Sequence, residues 1–94
     1  MASDRIQEIA DLLHEVGEVH HVYYSDTEGA DDDWATFYSE WLLRRSRFPQ
    51  LLARPPVRSG LTRDLVVFDE EYQSAGSSEP WPRWYAQRFV TKYG

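Results

Sequence analysis

Apolar residues of segment 4–24, DRIQEIADLLHEVGEVHHVYY, fall at positions 6, 9, 12, 13, 16, 19 and 23. These are steps of three and four, so one face of an α-helix collects them all. Gly17 weakens the middle of that helix without interrupting its pattern. Segment 25–32, SDTEGADD, is polar, contains Gly29, and reads as a turn. A second helix is predicted from Asp32 or Asp33, whose carboxylates suit the free N–H groups and the positive dipole end of a helix start. Trp34, Phe37, Tyr38, Trp41 and Leu42 form its expected buried stripe.

Pro49 and the Pro55–Pro56 pair interrupt the pattern, so 48–58 is predicted to be a connection with one short turn at Gln50–Ala53. Ser59 is a suitable cap for a third helix carrying Leu61, Leu65, Phe68 and Tyr72 on one face, and SAGSS at 74–78 ends it. With Glu79 as the cap of a fourth helix, Pro80 falls at N1 and Pro82 at N3. Their missing N–H groups would have no helical partner there, and the helix runs to about Tyr93.

The pattern is written twice. Trp34, Phe37, Tyr38 and Leu42 match Trp81, Trp84, Tyr85 and Phe89, and Leu12, Val16, Val19 and Tyr23 match Leu61, Leu65, Phe68 and Tyr72. Neither helical hairpin (about 4–47 and 59–93) can bury its rings alone, so the two are expected to pack together. The predicted fold is an all-α four-helix bundle built from two pseudo-symmetric αα-hairpins in a single domain. The signature D-x-W-x2-[FW]-Y, read at Asp32, Trp34, Phe37 and Tyr38, resembles that of small bacterial all-helical proteins, over most of the chain. The resemblance implies a helical fold and a cytoplasmic location, and brings no activity, cofactor or site residue with it.

Composition sharpens this picture. Ninety-four residues make one small domain, and four Trp, six Tyr and four Phe supply large buried area per residue. The absence of cysteine excludes disulfides, thiolate zinc sites and a thiol nucleophile. No apolar run reaches membrane-spanning length, and the first residues lack the layout of a signal peptide, so the expectation is a soluble cytoplasmic protein without membrane partners. A net charge of −6 disfavours general binding to nucleic acid.

The charge is uneven. Asp26, Glu28, Asp31, Asp32 and Asp33 cluster without a base, whereas Arg44, Arg45, Arg47, Arg54, Arg58 and Arg63 cluster without an acid. An up-down bundle sets the first group at one end and the second at the other. Helix-dipole complementarity accounts for much of this. The alternative is a docking end, with Arg44, Arg45, Arg47, Arg54 and Arg58 facing an acidic protein or a second copy of the chain. Arg58-Ser59-Gly60 at a helix start also suits a phosphate. DTEGADDD lacks the ligand spacing of a calcium loop.

Three constellations bear on chemistry. Glu18 and His21, with His14 nearby, have a spacing used by metal sites in helical bundles, but the helical wheel sets them on a flank and no matching pair exists elsewhere. A solvated polar face accounts for them more simply. His20 lies beside the apolar stripe, and its counterpart in the repeat is Asp69, so the two are expected to approach each other. Arg88 replaces the aromatic Trp41 of the first hairpin and needs Asp69 or Glu71 as a partner. Either these are structural pairs, or His20, Asp69 and Arg88 with Tyr23 and Tyr72 line an inter-hairpin pocket for a small anionic or aromatic ligand. Three readings of function follow. The first is an interaction module or homodimer using an aromatic face or the arginine-rich end. The second is a ligand-binding protein or enzyme using the pocket, and the third a metal-binding bundle. No cofactor is expected.

Overall fold

The computed structural model describes residues 2–23 and 33–94, with side chains from Arg5 onward. The acidic turn at 25–32, with Asp26, Glu28, Asp31 and Asp32, lies outside the described residues. Among the described residues, four α-helices and one 3-10 turn account for the regular structure: α1 (Ala2–Tyr23), α2 (Trp34–Arg44), the turn Phe48–Leu51, α3 (Arg58–Ala75) and α4 (Trp81–Tyr93). Among the described residues, close backbone packing joins α1 to α2 and α4, and α3 to α2 and α4. α1 packs most extensively on α4, and α2 on α3. The result is a four-helix bundle whose largest contacts run between the two hairpins.

Burial explains why the helices close in this way. Ile9, Leu13 and Val16 of α1, Leu42 of α2, Leu61 and Leu65 of α3, and Phe89 of α4 are fully buried. Phe89 meets the edge of Phe68 at 4.9 Å and of Phe48 at 5.3 Å, an aromatic core joining α4, α3 and the connection. Phe48 is at 0% exposure, so the connection is itself part of the core. Its 3-10 turn begins at Phe48, with Pro49 in the first turn, and not at Gln50 as the proline spacing predicts. Backbone N–H groups of Ala53 and Arg54 donate to the carbonyls of Gly94 and Tyr93, and the Arg5 guanidinium also reaches the Gly94 carbonyl at 2.8 Å. These bonds tie the connection to both α1 and α4.

Three expectations on register need correction. α3 starts at Arg58, with the Val57 carbonyl accepting from Leu61 N, so Ser59 is already inside the helix. α4 starts at Trp81, with Pro80 as its cap residue and Pro82 in the first turn. Both prolines are still tolerated, because their absent N–H groups fall where no helical partner exists. The stripe of α2 is also different: Ala35, Ser39 and Leu42 are buried, while Trp34, Phe37, Tyr38 and Trp41 are half-buried. Small residues occupy the seam facing α3, where Ser39 Oγ and Thr62 Oγ1 share a hydrogen bond of 2.7 Å, and the rings are displaced to its margins. Gly76 ends α3 in the left-handed conformation, at φ 60°, as the SAGSS stretch predicts.

Candidate functional site

The margins of those seams meet where α2 and α4 begin and α3 ends. Trp34 opens α2 and Trp81 opens α4, each four residues before a tyrosine, so each pair shares a helix face. The Trp34 and Tyr38 rings are 5.1 Å apart at 79°, and the Trp81 and Tyr85 rings 5.2 Å apart at 65°. Tyr38 reaches Trp81 at 6.3 Å, and Tyr85 reaches Tyr72 of α3 at 6.4 Å. Five rings thus form a continuous wall around an open cleft of about 270 Å³, completed by Asp69 and Gln73 of α3.

Among the described residues Asp69 is the one carboxylate lining the cleft. Its Oδ1 accepts a hydrogen bond from the Tyr85 hydroxyl at 3.0 Å and a long one from Gln73 at 3.5 Å. Burial raises the Tyr85 phenol above its ordinary value, and the Asp69 charge and hydrogen bond raise it further. Burial, with a contribution from Asp69, also raises Tyr38. Tyr72 is held from behind, donating its hydroxyl hydrogen to the Glu79 carbonyl at 2.6 Å. Trp81 and Tyr38 are backed on the α1 side by Gly17, where a Cβ would lie 3.4 Å from both the Trp81 ring and the Tyr38 hydroxyl.

Of the five pocket residues expected from sequence, Asp69 and Tyr72 line this cleft, and His20, Arg88 and Tyr23 do not. His20 is buried behind it, its ring meeting Phe37 at 5.2 Å and Tyr38 at 5.5 Å. The expected His20–Asp69 correspondence depends on a helix alignment that burial does not follow. Ile9, Leu13 and Val16 match Leu61, Leu65 and Phe68 at one constant spacing, under which His20 corresponds to Tyr72. Arg88 lies on the flank of α4, its guanidinium 3.1 Å from the Trp84 ring centroid and 3.9 Å from Glu71. Tyr23 is 74% exposed and lines a separate groove with Val19, Phe37, Trp41, Arg44 and Arg45.

The arginine cluster is largely engaged within the chain. Arg44 and Arg58 both pair with Glu40, at 3.1 and 2.8 Å, Arg47 pairs with Glu8 at 3.6 Å, and Arg54 donates to the Lys92 carbonyl at 3.0 Å. His14 pairs with Glu18 at 2.9 Å on an exposed flank, and His21 shares the groove beside them. Among the described residues no group of three carboxylate or imidazole side chains is arranged to hold a metal ion.

Sequence reasoning treated Trp34, Tyr38, Trp81 and Tyr85 as core knobs. The signal that identifies them as a wall is position: both tryptophans stand in the first turn of a helix, each four residues before a tyrosine on the same face. No family model, curated protein or solved structure matches the chain.

Proposed function

We propose that this chain is a recognition module without catalytic activity, and that its binding site is the aromatic cleft between α2, α3 and α4. The observation that carries this reading is the convergence of five rings from three helices on one open cleft that also contains a carboxylate. Ligand sites characteristically combine apolar walls with a few placed polar groups. Among the described residues no histidine, serine, threonine or lysine lines the cleft, and the Asp69 carboxylate is already bonded to a phenol. This favours binding over acid–base or nucleophilic chemistry. Docking through the arginine-rich end has less support, since four of its five arginines have partners in the chain.

The test is a two-dimensional NMR screen of the isotopically labelled protein with a set of small charged and neutral fragments. Binding fragments should shift the indole N–H signals of Trp34 and Trp81 while leaving Trp41, in the other groove, unmoved. A screen in which no fragment moves Trp34 or Trp81, or in which only Trp41 responds, would overturn the proposal.

A further inference from the structure

Resting on the reading of the cleft as the binding site, the geometry points to its ligand: we infer that the cleft takes the methylated ammonium head of an organic cation, held by ring faces and by the Asp69 carboxylate. The faces of Trp and Tyr rings are electron-rich and attract a cation placed over them, and assemblies of several such rings recognise quaternary ammonium groups. Here two indoles and three phenols surround one small space, each in contact with the next.

The charge balance points the same way. Among the described residues no arginine, lysine or histidine lines the cleft, so an anionic ligand would meet Asp69 without a compensating cation from them. Asp69 Oδ1 is occupied by Tyr85 and Gln73, whereas Oδ2 has no protein hydrogen bond among the described residues. The chain's net charge of −6 favours approach of a cation. Burial chiefly raises the Tyr38 and Tyr85 phenols, and the Asp69 charge beside them adds to both.

Methylation follows from the dominance of rings over charged acceptors. A primary ammonium brings three donors and loses hydration unless all are satisfied, whereas the cleft sets one free carboxylate oxygen, the neutral Gln73 amide and the phenol oxygens among five rings. A methylated ammonium presents C–H groups to those rings and keeps its charge. The space of about 270 Å³ accommodates such a head group and lies below the range of about 300–1,000 Å³ typical of sites for drug-sized ligands.

The experiment compares choline and tetramethylammonium with 3,3-dimethyl-1-butanol, a neutral molecule of nearly the same shape as choline, at constant ionic strength. The readouts are calorimetry and the Trp34 and Trp81 indole signals. Choline should bind about tenfold more tightly than the neutral alcohol. D69N, whose folding is checked by thermal unfolding, should remove most of that preference. Equal binding of choline and the alcohol by the unaltered protein would overturn the inference, whatever D69N does. If other fragments shift Trp34 and Trp81 but the ammonium probes do not bind, the cation assignment fails and the binding cleft stands. If nothing shifts these signals, both fail. A short peptide carrying trimethyllysine separates the sources: tighter binding than choline assigns the head group to a protein side chain, and weaker binding to a free small molecule. Equal binding of the unmethylated peptide overturns the requirement for methyl groups.

Discussion

Tyr85 on α4 donates its hydroxyl hydrogen to Asp69 on α3 at 3.0 Å, joining two helices through the wall of the cleft. The Tyr85 ring is 3% exposed while Asp69 is half-buried, so the bond connects a core side chain to a carboxylate that solvent reaches. Y85F keeps the ring and removes the tie. Solvent can partly replace the lost donor at Asp69, so the expected cost is about 1–2 kcal/mol. Urea unfolding monitored by tryptophan fluorescence measures it, and a cost indistinguishable from zero would show that the bond contributes nothing.

The same bond makes stability sensitive to alkali. The Tyr38, Tyr85 and Tyr93 phenols are raised above the ordinary value of 10.0, chiefly by burial, and the Lys92 ammonium is raised above 10.5, chiefly by its hydrogen bond to Asp64. Each group binds its proton more tightly in the folded chain than in the unfolded one. Its contribution is therefore complete below its unfolded pKa, and falls away as pH climbs through about 10 toward the folded values. Unfolding free energy should be flat from about pH 8 to 9.5 and decline above that. Y85F should start lower and decline less steeply, and equal slopes for the two proteins would count against the assigned role of Tyr85.

Phe48 closes the opposite end of the core, with its ring edge against Phe89 at 5.3 Å. F48A should cost about 3–5 kcal/mol, the range for removing a fully buried ring. A domain of this length is stable by about 5–14 kcal/mol, so the variant should be marginally folded. Differential scanning calorimetry reads this directly. A loss under about 1 kcal/mol would mean that the connection is not part of the folding core.

Phe48 also shows what periodicity can and cannot reveal. Leu13, Val16, Leu61, Leu65 and Phe68 are legible because a helix that repeats apolar residues every three or four positions has only one way to bury them. Phe48 lies between an arginine and a proline outside any helical period, and its burial results from chain closure between the hairpins. The same distinction applies on α2. Periodicity locates a face 100° or more wide, but not which part of it touches the next helix. Close approach selects Ala35 and Ser39 for the seam and leaves the large rings at its edge. Asp69 and Tyr72 are legible as cleft candidates because Tyr72 ends the α3 stripe and Asp69 flanks it. Arg88 was not correctly placed, because sequence does not show that Trp84 offers it a ring face nearer than any pocket.

Gly17 offers the last test, because it separates a local preference from a tertiary requirement. Within a helix glycine is about 0.8–1.0 kcal/mol less favourable than alanine. A Cβ at this position would meet Trp81 and Tyr38 at 3.4 Å, the inner edge of ordinary van der Waals contact, so one methyl fits without displacing either ring. G17A should therefore stabilise the protein by about 0.5–1 kcal/mol and leave the Trp81 indole signal in place. A branched side chain extends past that contact into the space that the Trp81 ring occupies. G17L should force the ring outward, lowering stability by about 1–3 kcal/mol as overpacked cores do. It should also shift the Trp34 and Trp81 indole signals together, since both rings belong to one wall. If G17L moves Trp81 alone, the two hairpins contribute to the cleft independently; if it moves neither, α1 does not back the cleft wall.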